Sequence, residues 1–344
     1  MEKEKATLIV SLDFELYWGV RDLYDLNHCR AKLLNVRPAI LRLLDLFWKF
    51  EIHATWATVG FLLFRNRREL LAALPCAQPN YSSIVLSPYR YILCIGHDEE
   101  DDPFHFAPSM VQAILDTPHQ ELGTHTFSHY YCLEDGQTEA SFRDDLQAAG
   151  EAAKSWNVEL RSLVFPRNQV NTQYLRACAD CGILAYRGAG QHWMYRERKR
   201  SSETAGRRAM RLLDAYVNIS GHHTFRLGDT REDFLCNVPA SRYLRPYWPR
   251  LRMLEPLRIE RICRGLNAAA AKREAYHLWF HPEDFGLNLD ENLACLEQIL
   301  RRFARLRSAG RMESLNMGEA ANRVAARSHA GSKHDQAIYA ESQC

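Results

Sequence analysis

No apolar stretch in the 344-residue sequence approaches the roughly 18 uninterrupted residues of a membrane-spanning helix. The start, MEKEKATLIVSLDFE, holds only a short apolar run, far less than a secretion signal carries, so a cytoplasmic location is expected. Net charge is nearly absent too: 44 Lys and Arg stand against 42 Asp and Glu. Sequence-independent nucleic-acid binders are usually basic throughout, so RERKR (196–200) and GRRAMR (206–211) carry little weight and no nucleic-acid partner is expected. The ten cysteines show no even framework of spacings, which argues against a disulfide scaffold and agrees with a reducing compartment. The one close pair, Cys178 and Cys181, lies in the helical-looking TQYLRACADCG and has no second pair to complete a structural zinc site. No internal repeat is visible.

What is present is an alternation of apolar runs with amphipathic segments, which predicts an α/β fold with largely parallel strands. ATLIVSLDF reads as a strand, RPAILRLLDLFWKF as a helix and HATWATVGF as a second strand. HQELGTHT is a strand ending at His125, followed by the helix EASFRDDLQAAGEAAKSW and the strands RSLVFP and ILAYRG. Order returns with the helix LRIERICRGLNAAAAKRE, the strand YHLWFHP, the helix ENLACLEQILRRFARLR and the strand MESLNM. Residues 1–324 are expected to form one barrel with insertions at about 75–108 and 191–255, the latter rich in Arg. The weakly hydrophobic segment 325–344 reads as a disordered tail.

Polar residues collect where these strands finish, and in α/β barrels the C-terminal rim of the strands builds the active site. Asp13 and Glu15 leave the first strand two apart, which directs both carboxylates to one side. His125 and His129 follow the third strand in a Thr- and Ser-rich setting that suits ligation better than core packing. Spacing alone is weak, because His277 and His281 repeat it; His281, at the strand exit before Pro282, reads as functional and His277 as structural. One carboxylate and two imidazoles make a three-ligand set for a catalytic zinc with a position open to water.

These residues resemble the motifs of the polysaccharide deacetylase, or NodB-homology, family. SLDFE is similar to the variant of its first motif with one residue between the acids, HTFSH to its His-[Ser/Thr]-x-x-His motif, and LWFHP to its last motif. LVFPRNQ presents Arg167 beside a proline in altered order, and the Trp- and Asp-bearing motif between these last two is not clearly present. The resemblance spans about residues 5–325 and implies a distorted (β/α) barrel. It implies Glu15, His125 and His129 as ligands of a divalent metal, zinc by expectation. Asp13 is implied as general base, Arg167 as the residue that orients it, and His281 as general acid.

The expected reaction removes an N-acetyl group from an amino sugar in a polysaccharide, glycolipid or sugar-nucleotide precursor. The backbone N–H of Tyr130 is the expected oxyanion donor. The arginines point to a phosphate-bearing or lipid-linked substrate. RYLRPYWPRLRML (242–254) interleaves Arg with aromatics in a way that fits peripheral membrane contact. The alternative is a catalytically silent carbohydrate-binding barrel. A glycosidase built on Asp13 and Glu15 is disfavoured, because carboxylates two apart on one strand do not flank a sugar.

Overall fold

The computed structural model describes residues 4–190, 192–196, 203–230 and 234–327; most of the expected tail, from 328 on, lies outside them. The near-continuous apolar run of strand β1 (Ala6–Phe14) leaves no face for water, and all nine residues are buried. The C-terminal half of β1 pairs with β2 (Ala54–Thr58), its N-terminal half with β9 (Met312–Leu315), and its other edge with β8 (Ala275–Phe280). From β2 the parallel sheet continues through β3 (Gln120–Thr124), β4 (Ser162–Leu163) and β5 (Ala185–Tyr186).

The sheet curls because one extended segment serves both of its outer strands. β6 (Cys236–Asn237) pairs with β5, and β7 (Arg242–Tyr243) pairs with β8. Between them Ala240 N donates to Gly188 O and Ser241 N to His277 O, each at 2.9 Å. Pro239 supplies no donor, and the pairing changes partner around it. The result is a distorted (β/α) barrel.

Helices cover the outside, among them α1 (Leu26–Leu34), α3 (Arg67–Ala72), α4 (Pro108–Asp116) and α6 (Leu175–Asp180). In α2 (Val36–Phe50) the apolar residues Val36, Ala39, Ile40, Leu43, Leu44, Phe47 and Phe50 recur at helical spacing and are buried. Its larger side chains are worth roughly 1.5–3 kcal/mol each relative to exposure. α5 (Glu139–Lys154) opens with a capping box between Thr138 and Ser141. α8 (Glu255–Lys272) and α9 (Leu289–Ser308) pack on each other and on the β1 side of the barrel.

Two regions differ from the sequence reading. Much of 75–108 packs inward: Ile92, Phe104 and Phe106 are buried in the core, and Trp18 Nε1 donates to His105 O at 3.0 Å. The 191–255 excursion contains α7 (Ala205–Asp214) and both β6 and β7, so it supplies barrel wall. For the same reason 242–254 is not an interfacial segment throughout. Arg242 and Leu244 are buried, whereas Trp248, Met253 and Leu254 are exposed. No helix among the described residues is long and apolar enough to cross a membrane.

Candidate active site

Each chemistry-bearing side chain leaves the C-terminal end of a strand: Asp13 and Glu15 from β1, His125 and His129 after β3, Arg167 after β4, Arg187 after β5 and His281 after β8. The chain turns sharply after β1, with Leu16 at φ 48°, and Glu283 holds the turn by accepting from Glu15 N at 3.0 Å and Leu16 N at 2.6 Å. Gly19 is required by the carboxylate itself, since a Cβ there would lie 1.6 Å from Glu15 Oε2.

After β3, Thr126 and His129 both take left-handed backbone conformations, with φ 63° and 59°. This fold of the loop aims both imidazoles at one oxygen: His125 Nε2 is 2.9 Å and His129 Nε2 3.3 Å from Glu15 Oε1. Asp145 of α5 holds the loop by accepting from Phe127 N at 2.8 Å, Ser128 N at 3.2 Å and the Ser128 hydroxyl.

Glu15, His125 and His129 bring their ligand atoms within 4.8 Å of one another. The hydrogen bonds around His129 favour a cation there. Tyr131 Oη donates to Asp22 Oδ1 at 3.3 Å and lies 3.1 Å from His129 Nδ1, so Nδ1 must carry the proton that Tyr131 accepts. Burial presses the His129 pKa down, which keeps the ring neutral. Its Nε2 lone pair therefore faces a carboxylate oxygen, an opposition that a shared cation relieves. Two imidazoles and a carboxylate are suitable donors for zinc.

Asp13 lies beside this set, and the arginine on it is Arg187. Arg187 Nη1 and Nη2 donate to Asp13 Oδ1 and Oδ2 at 2.6 Å each. Burial raises the Asp13 carboxyl, but Arg187 overcomes this and holds its pKa below the ordinary value. Arg187 is itself fixed by Ser11 Oγ at 3.1 Å, Asn168 Oδ1 at 2.9 Å and the face of Trp279 at 4.2 Å. His277 completes the support: its Nδ1 is 3.1 Å from Val238 O and its Nε2 2.8 Å from Ser11 Oγ. Burial holds the His277 pKa at about 3, so it is a neutral link.

Arg167, expected on Asp13, instead pairs with Asp22 through Nη2 at 2.6 Å and stacks on Tyr131 at 4.5 Å. The reason is local: Arg167 lies four residues beyond β4 with φ 55°, whereas Arg187 follows β5 directly. The signal for Arg187 was the Arg immediately after the strand in ILAYRG.

His281 faces Asp13 Oδ2 and Glu15 Oε1 with Nε2, each at 3.7 Å, while its Nδ1 is 3.4 Å from Asp284 Oδ2. Burial presses its pKa down, but Glu15, then Asp284 and Asp13, hold it at about 10. With Glu15 engaged by a cation, the contribution of Asp284 remains. Asp284 also accepts from Lys32 Nζ at 2.9 Å and from the Tyr243 hydroxyl. It was not foreseen, although it stands only three residues after His281.

The expected oxyanion donor does not serve. Tyr130 N–H already donates to Thr126 Oγ1 at 2.7 Å.

No family model and no curated protein sequence matches this chain. In fold it is similar to a solved structure from Mycobacterium smegmatis assigned as a polysaccharide deacetylase. That likeness has 15% identity and a TM-score of 0.57, and covers 95% of this chain and 93% of that one. It is also similar to 4-alpha-glucanotransferase from Thermococcus litoralis, at 10% identity and a TM-score of 0.51, covering 92% of this chain and 40% of that one. Likenesses at this level of identity show the fold alone, and function has to be argued from the residues at the rim. By strand pairing and by this likeness, the chain has the distorted (β/α)-barrel fold of the polysaccharide deacetylase type.

Proposed function

We propose that the protein is a metal-dependent hydrolase that removes an N-acetyl group from an amino sugar carried by a polysaccharide, glycolipid or sugar-nucleotide precursor. The observation that carries this reading is the joint placement of a Glu15, His125 and His129 set with an arginine-locked Asp13 and an aspartate-anchored His281. A divalent cation held by the first three, zinc by the chemistry of the donors, would acidify a water and polarise the acyl carbonyl when bound.

Asp13 takes the proton from the attacking water. Arg187 keeps it ionised for that step by favouring the charged form. His281 carries the opposite charge and gives its Nε2 proton to the departing amine nitrogen, with Asp284 holding Nδ1. Arg167 acts beside this centre, against Tyr131 and Asp22, as a wall of the substrate cleft. The proposal extends to a peripheral bilayer contact by the exposed Trp248, Met253 and Leu254, flanked by Arg250 and Arg252.

Elemental analysis with acetate-release assays on N-acetylated sugars tests the reading. About one divalent metal per chain is expected, lost in His125→Ala together with activity. Asp13→Asn is expected to keep the metal and lose about 10²–10⁴-fold in rate. A wild-type protein that cannot be loaded with metal would leave a binding barrel, and full activity in either variant would remove the role assigned to that residue.

A further inference from the structure

The catalytic residues stand between two cavities of different character. The first, of about 480 Å³, reaches from Asp13 and Glu15 along an apolar wall that includes Leu16, Val20, Leu23, Leu33 and Leu287. The second, of about 410 Å³, begins at the other side of Arg167, Asn168, Tyr243, Trp279 and His281, which line both. Its further walls carry Arg196, Arg211, Arg242 and Arg245 against one carboxylate, Glu203.

Not all of this positive charge is consumed by the fold. Arg242 is paired with Asp214 at 2.5 Å, Arg211 with Glu203 at 2.7 Å, and Arg167 with Asp22 at 2.6 Å. Arg245 makes no ion pair among the described residues; its guanidinium lies 5.8 Å from the centre of the Tyr243 ring. Arg196 is exposed, and Arg167 Nη1, where the two cavities meet, has no acceptor among the described residues. The half-buried Arg245 guanidinium, beside the Tyr243 ring, thus keeps donors free for an anionic ligand, which its planar fork suits.

We propose that the second cavity is an anion subsite that holds a phosphate group of the substrate next to the bond on which Asp13 and His281 act. This rests on the hydrolase reading above and narrows its substrate class to phosphate-bearing compounds. A carboxylate is satisfied by one guanidinium fork. A phosphate offers three oxygens and up to two charges, which suits several arginines on different walls.

Calorimetric titration of the full-length protein with inorganic phosphate tests the subsite without requiring turnover. Phosphate is expected to bind the wild type. Arg245→Gln and, separately, the exposed Arg196→Gln are expected to weaken it about tenfold, the loss of one charge-assisted contact. In His125→Ala binding should persist, because the arginines and not a metal hold the ion. No binding by the wild type, equal binding by both arginine variants, loss in His125→Ala, or acetate bound as tightly as phosphate would each overturn the assignment. Failure of the hydrolase reading shows itself separately, as Arg245-dependent phosphate binding by a protein that releases no acetate from any N-acetylated sugar phosphate.

Discussion

His281 and Asp284 illustrate how a side chain acquires its role from a neighbour three positions away. Pro282 starts a short 3-10 turn (Pro282–Phe285) that brings the Asp284 carboxylate back under the imidazole. Asp284→Asn should lower kcat by tenfold or more, because the proton donor loses its anchor. It should also move the basic limb of the kcat/KM profile to lower pH. His281 works protonated, the Asp284 charge helps to hold its pKa up, and removing that charge lets the proton leave earlier. An unmoved basic limb would deny Asp284 this role.

Asp13, Glu15, His125, His129 and His281 were readable because each stands at or just beyond a strand terminus that local patterning reveals. Arg187 and Arg167 both follow strands, so strand patterning alone did not decide between them. The first meets Asp13 across the barrel mouth, and the second turns away on a left-handed backbone.

The loop between β3 and α5 shows how one element shapes another. His125 and His129 converge only because Thr126 and His129 adopt strained conformations, and Asp145 pins the residues between them. Removing an outer partner of this kind typically costs about 10–100-fold in metal affinity. Asp145→Asn replaces one acceptor oxygen with a donor, so chelator competition should detect a loss of that order while far-UV circular dichroism stays at the wild-type value. Equal affinity would show that the loop holds its shape alone. The helix α5 was legible from its apolar spacing, but the inward turn of Asp145 was not. A charged residue at a helical position looks solvated until its buried partners are known.

Closure of the barrel depends on the 191–255 excursion, and Asp214 ties that excursion to the wall. It accepts from Arg242 at 2.5 Å, Tyr195 Oη at 2.6 Å and Ser220 Oγ at 2.7 Å, with Arg261 of α8 at 3.8 Å. Leaving the buried Arg242 without its anion costs about 3–5 kcal/mol, so Asp214→Asn should lose stability of that order in urea unfolding at neutral pH. Burial raises the Asp214 pKa, but Arg242 more than offsets this and holds it well below the usual range. Its contribution is therefore complete above about pH 4 and drains as pH falls towards the lower folded value. The gap between variant and wild type should narrow on acidification; a gap constant down to pH 2 would mean that charge is not the source.

The alternation of apolar runs was enough to specify an α/β barrel and its long helices, because hydrophobic periodicity is written in consecutive residues. It also located the carboxylates and histidines at the rim, since a strand exit is a local event. The two-residue strands β6 and β7 escaped detection because, unlike the equally short β4 and β5, they lie in no continuous apolar run and are separated by Pro239. Pairing across the mouth came from the assembled barrel alone. Asp13 meets Arg187 from 174 positions away because β1 and β5 face each other only when 236–244 bridges the sheet. Contacts of that separation depend on strand order and register, which no local propensity encodes.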